Sequence, residues 1–185
     1  MFGDVGNLIG QALSWVAVAT GFVSYQMKTT KGILIFQMIT AFLFASHYFL
    51  IGANTAAVIN FMGVFSGFCY YLREKYNSRT PLVPIVFMSL RWITGIFTWE
   101  GWYSLLLLVG LTASDIGLAI SKPHTIRKLY LIKSPLCLSY NAIVFSTGGI
   151  IYEIATLISA VIGLFGDRKQ QQNEMAQGGK ENEKI

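Results

Sequence analysis

The chain is expected to be an all-α integral membrane protein: seven transmembrane helices, set as two parallel three-helix bundles joined by one linker helix. Three observations predict this. Hydrophobic residues make up 54% of the 185 residues and charged ones 12%, about half the roughly 25% charge of a soluble domain. A water-exposed surface on a chain this size could not be covered by so few polar groups. Apolar runs of spanning length recur from end to end, and lysine and arginine fall only in alternate connections between them.

A spanning helix needs about 20 apolar residues, with a range of roughly 17–25. Seven stretches qualify: 6–27, 33–51, 53–72, 82–99, 101–120, 129–147 and 149–166. The first contains Ala17-Val18-Ala19, which resembles a cleavage site. The segment before it holds Asp4 and no Lys or Arg. Without the basic region of a signal peptide, the helix is expected to be retained. The second and third stretches meet at Gly52–Thr55, the fourth and fifth at Glu100-Gly101, and the sixth and seventh at Ser146–Gly149. Fusing either neighbour to the next would give a helix of about 40 residues, too long for a ~30 Å hydrocarbon core. Glycine and small polar residues mark reversals there instead. The chain therefore divides into a first bundle (1–75), a linker helix (76–100), a second bundle (101–166) and a polar tail (167–185). The tail lacks apolar residues to bury, balances its own charges and is expected to be disordered.

Charge placement sets the orientation. The first, third and fifth connections and the C-terminal segment hold Lys28, Lys31, Arg73, Lys75, Arg79, Lys122, Arg127, Lys128, Arg168 and Lys169; the opposite side has none. This bias predicts a cytoplasmic C-terminus and an external N-terminus. It also accounts for the net charge of +5 without a nucleic-acid partner. Trp15, Trp99, Trp102, Tyr70 and Tyr71 stand near span ends, where aromatic rings anchor at the interface.

The two bundles read as an internal repeat. At an offset of 93 residues Ser46 falls on Ser139, Asn60 on Glu153, Ser66 on Ser159 and Lys75 on Arg168, and the turn Gly52–Thr55 lies over Phe145–Gly148. One linker helix between two triplets leaves both pointing the same way, the plan of transporters whose solute site lies between parallel repeats near the bilayer midplane. The stretches HYFLIGANTAAVIN…YYLR and SYNAIVFSTGGIIYEIATLISAVIG resemble the YgjV family of bacterial inner-membrane proteins over nearly the whole chain. More distantly, the plan is similar to that of SWEET and PQ-loop transporters. That resemblance implies a solute-facing asparagine on the third helix, where Asn60 stands. The second repeat has Glu153 in that place, and the Pro-Gln pair is absent.

Polar side chains within spans are costly and need a partner or a function. Counted from the nearer span end at 1.5 Å per residue, Glu153 and His47 lie about 6 Å below the outer boundary, and Asn60 about 11 Å. On the inner side Asp115 lies about 7–8 Å deep and Lys133 about 6 Å. Depth thus suggests His47 with Glu153, and Asp115 with Lys133 as an ion pair. Arg91, near the middle of the linker helix, has Asn60 and Glu153 as nearest candidates. Asn60, Glu153, His47 and Asn141 are the expected solute contacts; Asp115, Lys133 and Arg91 are the expected intramembrane ion-pair residues. Structural readings stand beside these: Asn60 and His47 can tie helices together, and Lys133 can snorkel. Glu153, flanked by Ile151, Tyr152 and Ile154, keeps its charge only beside a cation. It suits proton coupling or recognition of a cationic or hydroxylic solute.

Gly63 and Gly67, and Ser159, Ala160 and Gly163, form small-residue faces for helix packing. Pro135 is expected to kink the sixth helix. Cys69 and Cys137, both in apolar runs, read as inert thiols. No nucleophile elbow, phosphate loop, HExxH or cysteine–histidine cluster appears in the sequence, so neither enzyme activity, cofactor nor metal is expected. Expected partners are the bilayer and a small polar solute; a coupled proton and a homo-oligomer stay open. Two functions fit: a carrier working by alternating access, or a non-transporting sensor, lipid-binding factor or partner subunit whose polar residues only lock helices.

Overall fold

Backbone amides in hydrocarbon have no water to bond and must bond one another, which helices do within one segment. The computed structural model describes residues 3–27, 29–78, 80–120 and 123–182. Among these the only regular element is the helix: α1 (Gly3–Gln26), α2 (Thr30–Ile51), α3 (Asn54–Lys75), α4 (Leu82–Phe97), α5 (Ser104–Ile120), α6 (Pro123–Ile143) and α7 (Thr147–Asn182). Lys28, Arg79 and Lys122, used above to orient the chain, lie outside the described residues.

Four helices, α1, α2, α3 and α7, are long and apolar enough to cross a membrane. The 16 residues of α4 rise about 24 Å, short of a ~30 Å core, and the apolar part of α5, Ser104–Gly117, is also short. The sixth helix has 21 residues but carries His124, Arg127, Lys128 and Lys133. Its start differs from the expected 129. Pro123 suits a first helical position because it has no N–H to leave unpaired, and the basic residues after it propagate helix well. Hydropathy registers only the apolar part. Pro135 sits inside α6 without ending it. At the other end, α7 runs on to Asn182, through most of the segment expected to be a disordered tail. Its Lys, Gln, Glu, Met and Ala are all helix formers.

Each helix packs against the next, most extensively in the pairs α1–α2, α2–α3, α5–α6 and α6–α7; α1 also meets α7, and α3 meets α5. The helices therefore close into a ring of neighbours. Its core joins Ala17 and Val18 to Phe44, Tyr48, Ala56, Ile59, Leu108, Cys137 and Tyr140. Small residues allow the close approaches: a Cβ on Gly148 would lie 2.8 Å from the Ser14 backbone, which fixes α7 against α1.

Burial runs opposite to that of a soluble protein. Ser14, Thr40, His47, Ser66, Asp115, Lys133, Asn141 and Glu153 are buried, while Phe42, Phe49, Phe61, Phe65, Phe97, Ile162 and Phe165 point outward. An apolar exterior of this extent suits lipid. Many of the buried hydroxyls bond the carbonyl three or four residues back, as Ser24 does to Gly21 (2.7 Å) and Thr40 to Phe36 (2.9 Å), so they need no tertiary partner.

The α2–α3 and α6–α7 turns repeat bond for bond at the offset of 93. Gly52 ends α2 in the left-handed region (φ 84°) and Phe145 ends α6 the same way (φ 54°). Ala53 N donates to Tyr48 O at 2.9 Å, and Ser146 N donates to Asn141 O at 2.9 Å. Ala57 N donates to Ala53 O, and Ile150 N to Ser146 O, both at 3.0 Å. Each turn also receives a cap from a distant segment. The N-terminus of α3 has no cap from Ala53; Glu100 Oε1 accepts from the amides of Asn54 and Thr55. The N-terminus of α7 is capped by Ser146, whose Oγ accepts from Gly149 N at 3.1 Å, and by Gln11, whose Oε1 accepts from Thr147 N at 3.2 Å.

Candidate functional site

Two ion pairs cross between helices in the interior. On α6, Lys133 lies ten residues from either helix end, at its midpoint; its Nζ donates to Glu153 Oε1 on α7 at 2.8 Å. Arg91 on α4 donates through Nη1 to Asp115 on α5 and through Nη2 to Ser66 on α3 at 3.3 Å. All four charged side chains are at least 89% buried, so each charge depends on its partner: attraction in a low dielectric offsets desolvation only in a closed pair.

These pairings replace the two that depth counting suggested. His47 does not meet Glu153, and Asp115 does not meet Lys133. The cause is the start of α6. From Pro123 rather than residue 129, Lys133 lies about 15 Å into the helix instead of about 6 Å, level with the inner reach of Glu153. Arg91, expected near Asn60 and Glu153, takes Asp115 instead.

His47 is fully spent elsewhere. Its Nδ1 faces Gly10 O at 2.8 Å. A carbonyl only accepts, so Nδ1 carries the proton. Nε2 then accepts from Ser146 Oγ at 2.7 Å. Tyr48 donates to Asn141 Oδ1 at 2.5 Å. Together with Gln11, which donates to Phe145 O at 2.8 Å and accepts from Thr147, these bonds stitch α1, α2, α6 and α7 together at the end away from the basic residues.

Between that stitched end and the basic end lies a partly open cavity of about 190 Å³. Its walls come from α2 to α7 and include Asn60, Glu153, Asn141, Arg91 and Lys133; His47 and Asp115 stand outside the lining. Tyrosines 48, 70, 130 and 152 also face it, and its lining extends toward the basic end at Leu34, Tyr70 and Tyr130. Five lining residues of α2 and α3 have their counterpart 93 positions on, also in the lining: Gln37 and Tyr130, Thr40 and Lys133, Phe44 and Cys137, Tyr48 and Asn141, Asn60 and Glu153. Sequence reading named only the last of these pairs. The repeat register held the others, since positions flanking Asn60 and Glu153 on the neighbouring helix share their offset.

Several buried polar atoms here have no partner, among them Glu153 Oε2, Arg91 Nε and the Tyr70 hydroxyl. Such groups are rare in folded interiors, and each calls for a cause. Asn60 donates through Nδ2 to Ala56 O at 2.9 Å, which leaves its Oδ1 without a donor among the described residues.

An all-helical chain with lipid-facing apolar flanks and charge pairs closed inside it is a multi-helix membrane protein. It belongs to the Imp-YgjV family of bacterial inner membrane proteins, whose family model matches residues 8–171. No curated protein and no solved structure matches the chain.

Proposed function

We propose that the protein carries a small polar solute across the bacterial inner membrane by alternating access. In this reading all seven helices span, as two parallel triplets (α1–α3 and α5–α7) with α4 as linker, and the N-terminus lies outside. The short α4 and α5 would need local thinning of the bilayer. The register of 93, repeated in turn geometry and in cavity lining, supports parallel halves. A solute site between such halves is the common plan of carriers.

The observation that carries the proposal is the shared cavity. Asn60 and Glu153, 93 positions apart, both line it, and its lining residues Glu153, Arg91 and Tyr70 each hold a buried polar atom without a partner among the described residues. The solute would enter from the basic end. Closure at the opposite end rests on His47, Ser146, Tyr48, Asn141 and Gln11, which act here as a lock rather than as solute contacts. Opening would require that lock to part as the basic end closes. An enzymatic role is not part of this reading, and the two ion pairs serve to hold charged groups ready in a dry site.

Uptake into proteoliposomes tests it: wild-type protein should concentrate or exchange a solute from a broad labelled panel, and Asn60→Ala should abolish that flux while the protein stays folded. Absence of flux across the panel would favour a non-transporting membrane protein instead. Labelling of Asn60→Cys, with Cys69→Ser and Cys137→Ser removing the native thiols, by a membrane-impermeant thiol reagent from the cytoplasmic side alone checks the direction of access.

A further inference from the structure

We infer that the solute is a small zwitterion, with its ammonium received by Glu153 and its carboxylate by Lys133. The inference rests on the carrier reading above and names the class of molecule its site takes. Lys133 Nζ sits 2.8 Å from Glu153 Oε1, 5.5 Å from the centre of the Tyr130 ring and 5.7 Å from that of Tyr152. A carboxylate and two aromatic rings around one ammonium make a cation subsite. Here it is occupied by the chain's own amine.

The pair keeps capacity on both sides. Among the described residues, Glu153 Oε2 is buried without a donor, and Asn60 Oδ1, on a residue lining the same cavity, has none either. An ammonium carries three N–H groups, and Lys133 donates to one acceptor among the described residues. The site therefore asks for a ligand that brings a donor to Glu153 and an acceptor to Lys133.

Charge balance narrows the ligand further. Arg91 and Lys133, which line the cavity, are matched by Asp115 behind the lining and Glu153 within it, so the charges of the two pairs cancel. A simple cation or anion would place a net charge in a low-dielectric interior, which is strongly unfavourable. A zwitterion adds one charge of each sign and turns the Lys133–Glu153 pair into a ring of four alternating charges. The Arg91–Asp115 pair stays closed throughout. A polyol meets the same atoms without charge, and neutral hydrogen bonds are roughly half as strong as charge-assisted ones. The volume of about 190 Å³ falls below the ~300–1,000 Å³ of drug-sized pockets, which limits the solute to a few heavy atoms.

Equilibrium binding to the full-length protein in nanodiscs tests this with labelled glycine, L-alanine and taurine as zwitterions. Alaninamide serves as the cation-only probe, propionate as the anion-only probe and lactamide as the uncharged one. At least one zwitterion should bind about ten- to hundredfold more tightly than every single-charge or uncharged probe, the value of one hydrogen bond to a charged group. Because Glu153→Gln alone strands the Lys133 charge, the informative variant is Lys133→Gln with Glu153→Gln, which removes both charges together. That double variant should fold, and its zwitterion affinity should fall to the lactamide level. Equal binding of lactamide and alanine, an undiminished preference in the double variant, or no binding by any of the three zwitterions overturns the inference. Zwitterion binding without flux in proteoliposomes would sink the carrier reading and leave this site standing. Flux of uncharged solutes without zwitterion binding would do the reverse.

Discussion

The hydroxyl of Tyr48 donates to Asn141 Oδ1 at 2.5 Å, and the two residues stand 93 positions apart, the offset that also relates the α2–α3 and α6–α7 turns. This bond joins α2 to α6 at the stitched end of the cavity. Both residues are buried. Tyr48→Phe keeps the ring, which stacks on Phe44 with centroids 5.9 Å apart, and strands the Asn141 oxygen. Leaving one buried acceptor unpaired costs about 1–3 kcal/mol. Thermal unfolding in detergent, followed by circular dichroism, should show the drop; an unchanged midpoint would mean the bond contributes nothing net.

The Lys133–Glu153 pair predicts a sign change between single and double substitutions. Lys133→Met leaves a buried carboxylate without its cation and should cost about 3–5 kcal/mol. Adding Glu153→Leu to it removes the stranded charge, and the double variant should return to wild-type stability or exceed it by roughly 1–4 kcal/mol. Unfolding in mixed micelles of rising SDS fraction reads the order. If the double variant is as unstable as the single, the pair owes its place to something other than mutual neutralisation.

Helices and reversals were legible because lipid imposes a length, and turns at Gly52–Thr55 and Ser146–Gly149 carry glycine where runs would otherwise fuse. The likeness of the two turns was legible too, since their small and polar residues follow the offset of 93. Ion pairing was not. A residue's depth depends on where its helix begins, and the amphipathic start of α6, rich in basic residues, is silent in an apolar count. A shift of six residues moved Lys133 by about 9 Å and changed every pairing near it. Capping in trans by Glu100 and Gln11 was hidden for another reason: both are short-range contacts between segments distant in sequence, and no local spacing announces them. Glu100 registered only as the acidic residue of a tight junction.

That cap gives a third prediction. Glu100 is the only described side chain bonded to the first amides of α3, because Ala53 offers no acceptor. Glu100→Ala should cost about 0.5–2 kcal/mol, the usual worth of an N-cap. The loss is local at first. Hydrogen exchange at the amides of Asn54 and Thr55 should accelerate, while those of the α6–α7 turn, capped by Ser146 and Gln11, stay protected. Uniform acceleration across both turns would show that Glu100 supports the whole fold and not one helix end.

The paired turns make the last prediction, with opposite signs at equivalent positions. Gly52 and Phe145 occupy the same left-handed conformation, which costs a residue with a Cβ about 1–2 kcal/mol; glycine adopts it freely. The Phe145 side chain packs little against the described residues to offset it, since the residue is 80% exposed, and the bond from Gln11 to its carbonyl does not depend on the side chain. Phe145→Gly should therefore raise stability by about 1 kcal/mol, and Gly52→Ala should lower it by a similar amount. Thermal midpoints of the two variants, measured in the same lipid, compare the turns directly. A fall for Phe145→Gly would mean that the ring earns its strained backbone through lipid contact at the membrane edge, and the difference between nanodisc and detergent midpoints would then measure that contact.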